Sequence, residues 1–190
     1  MRTSRVLAGL LAGVTAVALA GCTGSREQEC DTDERGAIVC SPEQRSAAPE
    51  LTGDLLDGSG TWDIAQERGN VVVLNFWGSW CAPCRAEADD LEAVHLATRD
   101  SGVRFMGINI QDSRDKAIAF EEGRVTYPSL FDPPSRLALA FDIAPNSIPA
   151  TIVLDREGRV AVVIRGAVQQ DTFLPYVERV AAEDSANGPD

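Results

Sequence analysis

Val71-Val72-Val73-Leu74-Asn75-Phe76 is an almost wholly apolar, β-branched run. A strand with one face in water alternates apolar and polar residues, so a run without alternation belongs to a strand buried on both faces. Covering both faces of a sheet takes helices, and the following segments supply them in turn. The apolar spacing predicts a helix from about Ala82 to Arg99, with Ala88, Leu91, Val94 and His95 on its inner side. Val103 to Ile110 reads as a second buried strand, and Ser113 to Glu122 as a helix with Ile118 and Phe120 among its apolar positions. Phe131 to Phe141 opens irregularly with Asp132-Pro133-Pro134 and then turns helical. Ala150 to Leu154 and Val160 to Arg165 are strands joined by the turn Asp155-Arg156-Glu157-Gly158, and Thr172 to Ala182 is a closing helix. Leu51 to Ile64, punctuated by Gly53, Gly58 and Gly60, is expected to form a short edge strand or hairpin. The order βαβαβ with a terminal antiparallel pair defines an α/β fold, a mixed β-sheet flanked by helices, over residues 51–183. Residues 184–190 read as a disordered tail, and there is no internal repeat.

The segment before residue 51 has a different character. Arg2 and Arg5 precede an apolar run from Val6 to Ala20, shorter than the roughly 20 residues of a membrane-spanning helix. It ends in Leu19-Ala20-Gly21-Cys22, which resembles a bacterial lipobox. Residues 1–21 are therefore expected to be a signal peptide, with the Cys22 thiol carrying diacylglycerol after cleavage. Cleavage would remove two bases and no acids, so the acyl chains and not charge would hold the chain to the outer face of the cytoplasmic membrane. Residues 22–50 are polar, without a sustained period, and read as a flexible tether interrupted by Cys30 and Cys40. In an oxidising compartment these two are expected to form a structural disulfide around the turn Asp33-Glu34-Arg35-Gly36; two idle thiols are the alternative.

The remaining cysteines sit where the first core strand gives way to its helix, in Trp80-Cys81-Ala82-Pro83-Cys84. Two cysteines at i and i+3 can bridge when the backbone enters a helical turn. Free N–H groups and the positive dipole end at a helix start stabilise a thiolate there. That favours Cys81 as the exposed nucleophile and Cys84, one turn inside, as the thiol that resolves a mixed disulfide. Pro83 falls early in the helix, where its missing N–H costs little. A structural zinc site would need two further ligands, from His95 or from Cys30 and Cys40, and tetrahedral zinc is the weaker alternative. His95, the only histidine, reads as a helix-face residue, and Asp89 and Asp90 as part of a solvated face.

Asn75-Phe76-Trp77-Gly78-Ser79-Trp80-Cys81-Ala82-Pro83-Cys84-Arg85 resembles the active-site segment of the thioredoxin superfamily. With the lipobox, the tether and an extra segment between about 111 and 147, the chain is similar to membrane-anchored TlpA/ResA-like thiol–disulfide oxidoreductases over roughly residues 48–183. The resemblance implies a thioredoxin-like fold with a central insertion. Pro149, in Ser147-Ile148-Pro149-Ala150-Thr151, would be the cis proline lying against the redox disulfide, with Ile148 pairing with a substrate peptide. Trp80, Ala82 and Pro83 would contact substrate, Trp77 and Trp80 would flank the site, and Trp62 would pack in the core. Thioredoxins commonly carry a buried Asp where this chain has Asn75, which cannot titrate. Glu87, three residues after Cys84, matches a functional Glu of the family, and a partly buried carboxyl there could take the Cys84 proton.

The implied activity is exchange of protein thiols and disulfides without metal or organic cofactor. The family points to reduction of apocytochrome c thiols before haem attachment, with electrons from a membrane thiol reductase. A disulfide-forming oxidase of secreted proteins is the alternative within the same chemistry. A peroxidase is disfavoured because the peroxiredoxin P-x-x-x-T-x-x-C segment is absent. A redox-independent binding module or holding chaperone on the same fold is the alternative outside enzymology. Twenty-nine acids against 17 bases, a net charge of −12, disfavour binding to nucleic acid.

Overall fold

The structure is a computed structural model and describes residues 30–183. The signal segment, Cys22 with the start of the tether, and the tail at 184–190 lie outside the described residues. In chain order the elements are β1 (Asp31–Thr32), β2 (Ile38–Val39), β3 (Thr52–Asp54), β4 (Thr61–Asp63), β5 (Val71–Trp77), α1 (Ala82–Thr98), β6 (Val103–Ile110), α2 (Arg114–Glu121), β7 (Ser129–Asp132), α3 (Arg136–Ala140), β8 (Ala150–Leu154), β9 (Val160–Arg165) and α4 (Gln170–Glu183). Seven strands form one sheet in the order β1-β2-β9-β8-β5-β6-β7. β5 runs parallel to β6, and β6 to β7, while β8 pairs antiparallel with both β5 and β9.

All seven residues of β5 are buried. Val71 and Val73 face a layer with Leu91 and Val94 of α1 and Phe173, Val177 and Val180 of α4. Val72, Leu74 and Phe76 face the opposite layer, with Leu51, Ala138 of α3 and Ile143. The period of two divides one apolar run between two cores, which is why it shows no polar alternation. β3 and β4 form a separate antiparallel ribbon, tied to β7 through a Leu55–Leu130 bridge. Trp62 packs half-buried against the second core and donates from Nε1 to Glu67.

The tether expected over 22–50 is corrected for residues 30–50. β2 pairs with β9 in the register Ile38↔Val163 and Val39↔Val162, and Ala37 and Cys40 are buried. The Cys40 N–H donates to the Ala161 carbonyl, and the Arg45 guanidinium sits 3.2 Å from Asp155 and 2.6 Å from Glu183. A two-residue strand makes no periodic pattern, and the apolar stretch Ala37-Ile38-Val39 is diluted by its polar neighbours. Cys30 and Cys40 are disulfide-bonded around a turn in which the Asp33 carboxylate accepts from the Arg35 and Ala37 N–H groups. Gly36 takes the left-handed conformation that this turn requires, at φ 82°.

Two smaller differences lie in the central insertion. The expected irregular stretch at 131 begins inside a strand, β7, whose buried residues pair with β6. In α2 the inward position is Ala117, while Ile118 is exposed.

Candidate active site

β5 delivers the chain to a three-residue turn, Gly78-Ser79-Trp80, and α1 starts at Ala82 with Cys81 as its N-cap. The Cys84 N–H donates to Cys81 Sγ at 3.2 Å, and the Arg85 N–H to the Cys81 carbonyl. The Cys84 amide at the helix start thus points at the first sulfur, an arrangement that stabilises a thiolate. Cys81 and Cys84 are joined as a disulfide with their Cα atoms 5.3 Å apart. Proline stands in the first turn of the helix, where no N–H is missed.

Asp112, just after β6, holds the turn in place. Its carboxylate accepts from the Ser79 N–H at 2.6 Å, from Ser79 Oγ at 2.9 Å, from Asn109 Nδ2 and from the Ser113 N–H. Burial works against the charge, but these donors outweigh it and keep the carboxyl below its usual pKa. The Trp80 indole lies on the backbone of Gly78, where a Cβ would fall 2.6 Å from Nε1. That indole is 48% exposed and stands with Ala82 and Pro83 on the outer rim of the site.

The Ile148–Pro149 peptide bond is cis, and the Ile148 carbonyl oxygen is 3.8 Å from Cys81 Sγ. Four of the expected site residues, Cys81, Cys84, Ile148 and Pro149, therefore meet at one place. Cys81 itself differs from expectation: as a disulfide it is only 4% exposed, packed in a cluster with Leu56, Trp77 and Ala117 against which Ile148 leans. Trp77 is also corrected, because it is buried and supports the site from within instead of flanking it at the surface.

Below the disulfide, Glu87 is 1% exposed. Asn75 Nδ2 donates to Glu87 Oε1 and the Val168 N–H to Oε2, each at 2.9 Å, while Asn75 also donates to Thr151 Oγ1. Burial pushes the Glu87 pKa up to about 7, partly offset by the two donors and reinforced by the charge of Asp90. Asn75 thus stands as a fixed donor to a buried acid contributed by the neighbouring helix.

A small cavity of about 10 Å³ is lined by Cys84, Asn75, Trp77, Tyr127 and a second carboxyl, Glu121 at the end of α2. Burial likewise raises Glu121 to about 7. Nothing in the sequence distinguishes Glu121 from the exposed Glu122 beside it; Ser129 of β7 and the Leu55-Leu56 stretch after β3 leave it half-buried. His95 is edge-on to Phe105 and Tyr127, with its pKa lowered by burial. It lies eleven residues along α1 from Cys84, about 16 Å at the helical rise, and so cannot share a ligand sphere with the cysteine pair. Asp89 remains exposed, whereas Asp90 is half-buried and accepts from the Gln170 N–H at the start of α4. Among the described residues no group of three or more His, Cys, Asp or Glu side chains could hold a metal ion.

This architecture and this site have known counterparts. Residues 45–163 match the AhpC/TSA family. The chain is 26% identical over 136 residues to the thiol-disulfide oxidoreductase ResA of Geobacillus thermodenitrificans, covering 71% of this chain and 76% of that one. It is 30% identical over 165 residues to the thiol:disulfide interchange protein DsbE of Escherichia coli, covering 83% of each. A secreted thiol-disulfide isomerase from Corynebacterium glutamicum superposes with a TM-score of 0.75 at 34% identity, over 80% of this chain and 96% of the other. The fold is thioredoxin-like, and the chain belongs to the AhpC/TSA family of the thioredoxin superfamily. Within it, the chain is a thiol-disulfide oxidoreductase of the TlpA/ResA/DsbE type, acting on protein thiols and disulfides.

Proposed function

We propose that this chain is an extracytoplasmic reductant of protein disulfides that works through Cys81 and Cys84. The observation that carries the reading is the placement of Cys81 Sγ at the amide-rich start of α1 and 3.8 Å from the Ile148 carbonyl. In the reduced protein the Cys81 thiolate attacks a partner's disulfide, forming a mixed disulfide and expelling one partner thiolate. Cys84 gives up its proton and attacks Cys81 Sγ; the intermolecular bond breaks, and the second partner sulfur leaves with the electron pair. The chain is left with Cys81–Cys84 oxidised and the partner reduced by two electrons. The chemistry stays on sulfur and needs no metal or organic cofactor. Trp80, Ala82, Pro83 and Ile148 form the surface against which a substrate peptide lies, and Pro149 shapes it.

The family likeness supports apocytochrome c as the partner and a membrane thiol reductase as the source of electrons. Diacylglycerol on Cys22, after removal of residues 1–21, anchors the protein at the outer face of the cytoplasmic membrane. The likeness to a secreted thiol-disulfide isomerase at 34% identity supports a second reading in which the substrates are secreted proteins, and run backwards the same steps oxidise their thiols.

Trapping tests the assignment of roles. Cys84→Ser is expected to accumulate a mixed disulfide between Cys81 and partner proteins, dissolved by reductant, whereas Cys81→Ser accumulates none. Undiminished partner binding and phenotype in Cys81→Ser would instead make the protein a binding module.

A further inference from the structure

Glu121 is a half-buried carboxyl that this exchange does not use, and it lines two spaces. On one side it lines the small cavity against Cys84, whose volume of about 10 Å³ is room for roughly one water. On the other it lines an open groove of about 290 Å³, bounded by Leu55, Leu56, Asp57, Thr126 and Pro128. Glu87 lines neither space; it is almost wholly buried, and each of its oxygens is held by a fixed N–H donor.

We propose that Glu121 is the outlet by which the proton of Cys84 reaches solvent, taking it through one water in the cavity and releasing it into the groove. The inference rests on Cys84 being the resolving thiol. In the mixed disulfide the Cys84 S–H proton passes by way of that water to the Glu121 carboxylate. The Cys84 thiolate attacks Cys81 Sγ, the intermolecular S–S bond breaks, and the partner's sulfur departs as a thiolate. Glu121 then returns its proton to water in the groove, so protons and electrons balance.

The surroundings of Glu121 suit both of its protonation states. Its ionised form accepts from Ser129 Oγ, which in turn accepts from Trp77 Nε1 at 3.2 Å. When the carboxyl is protonated the same hydroxyl can accept from it, because a serine oxygen has two lone pairs and a rotatable hydrogen. The contact needs Gly107 opposite, where a Cβ would fall 2.0 Å from Ser129 Oγ and 2.8 Å from Trp77 Nε1. The titratable and charged groups around Glu121 are Cys84 of α1, Tyr127 before β7, and Asp57 in the β3–β4 turn, whose charge opposes its ionisation. On and next to its own helix, Arg114 is bound to the Leu55 and Leu56 carbonyls, and Arg124 is stacked on Phe120.

The test uses the reduced full chain in detergent and Ellman's reagent. The first thionitrobenzoate released reports attack by Cys81, and the second reports attack by Cys84 on the mixed disulfide. Glu121→Gln is expected to leave the first release unchanged and to slow the second about tenfold, a modest share of what a positioned proton acceptor contributes. Asp57→Asn, an exposed change, is expected to move the pH midpoint of the second release downward, which a merely structural Glu121 would not allow. A second release in Glu121→Gln with the wild-type rate and pH profile overturns the proposal, as does an unmoved midpoint in Asp57→Asn. If Glu121→Gln does not fold, the Asp57→Asn midpoint decides alone. Failure of the wild type to show a first release dependent on Cys81 would instead refute the assignment of Cys81 and Cys84.

Discussion

A carboxyl at Glu87 that is 1% exposed and titrates near pH 7 ties the chemistry of the site to its stability. In the unfolded chain the same group loses its proton near its ordinary value of about 4.5, so between that pH and about 7 the folded state holds a proton the unfolded state lacks. A raised carboxyl stabilises the fold most at low pH, and that contribution fades as the pH rises through the window. The expected slope is about 1.4 kcal/mol per pH unit from this one group. Denaturant titrations of Glu87→Gln from pH 4.5 to 7.5 should show a flatter dependence than the wild type; parallel curves would mean that Glu87 ionises normally in the fold. The candidacy of Glu87 was legible in its position three residues after Cys84 and in the family likeness. Its donors were not, because Asn75 is twelve residues away in sequence and the Val168 N–H 81.

Segments whose burial is written along their own length were the ones visible in the sequence. β5 shows as an unbroken apolar run, and α1 shows in the spacing of Ala88, Leu91 and Val94. β1, β2 and β7 are short strands whose identity comes from a distant partner: β2 exists because β9 offers an edge, and β7 because β6 does. No window of local sequence contains that information. Arg45 makes the consequence measurable. Its side chain and that of Asp155 are 4% and 3% exposed, with the guanidinium also on Glu183. Removing one partner from a buried ion pair costs about 3–5 kcal/mol. Arg45→Ala should therefore lower the unfolding free energy by about that much, where a residue of a mobile tether would leave it within about 0.5 kcal/mol. Reducing or removing Cys30–Cys40 should cost about 2–3 kcal/mol, since its loop is small. Calorimetry of a Cys30→Ala/Cys40→Ala variant would read that loss, and an unchanged transition would make the disulfide ornamental to the fold.

At the scale of the whole molecule, the exchange site sits where β5 ends, and the first described residues are fastened to the sheet through β2, which pairs with β9. The stretch from Cys22 to Cys30 is then all that separates the proposed lipid from a folded domain, a shorter leash than a chain free up to residue 50. Cys22→Ala should release the protein from the membrane fraction and lower the mature mass by the missing acyl groups. If both fractionation and mass stay as in the wild type, the anchor is refuted. The direction of exchange belongs to this scale too, because it depends on how the whole site weighs a thiolate at Cys81 against the disulfide. The most direct measurement is the reduction potential of Cys81–Cys84 in defined thiol buffers, followed by tryptophan fluorescence, since Trp77 and Trp80 adjoin the pair in sequence and structure. A reductant is expected to show a potential near or below about −250 mV, and a value of about −120 to −180 mV would contradict the account and make the protein an oxidant of thiols.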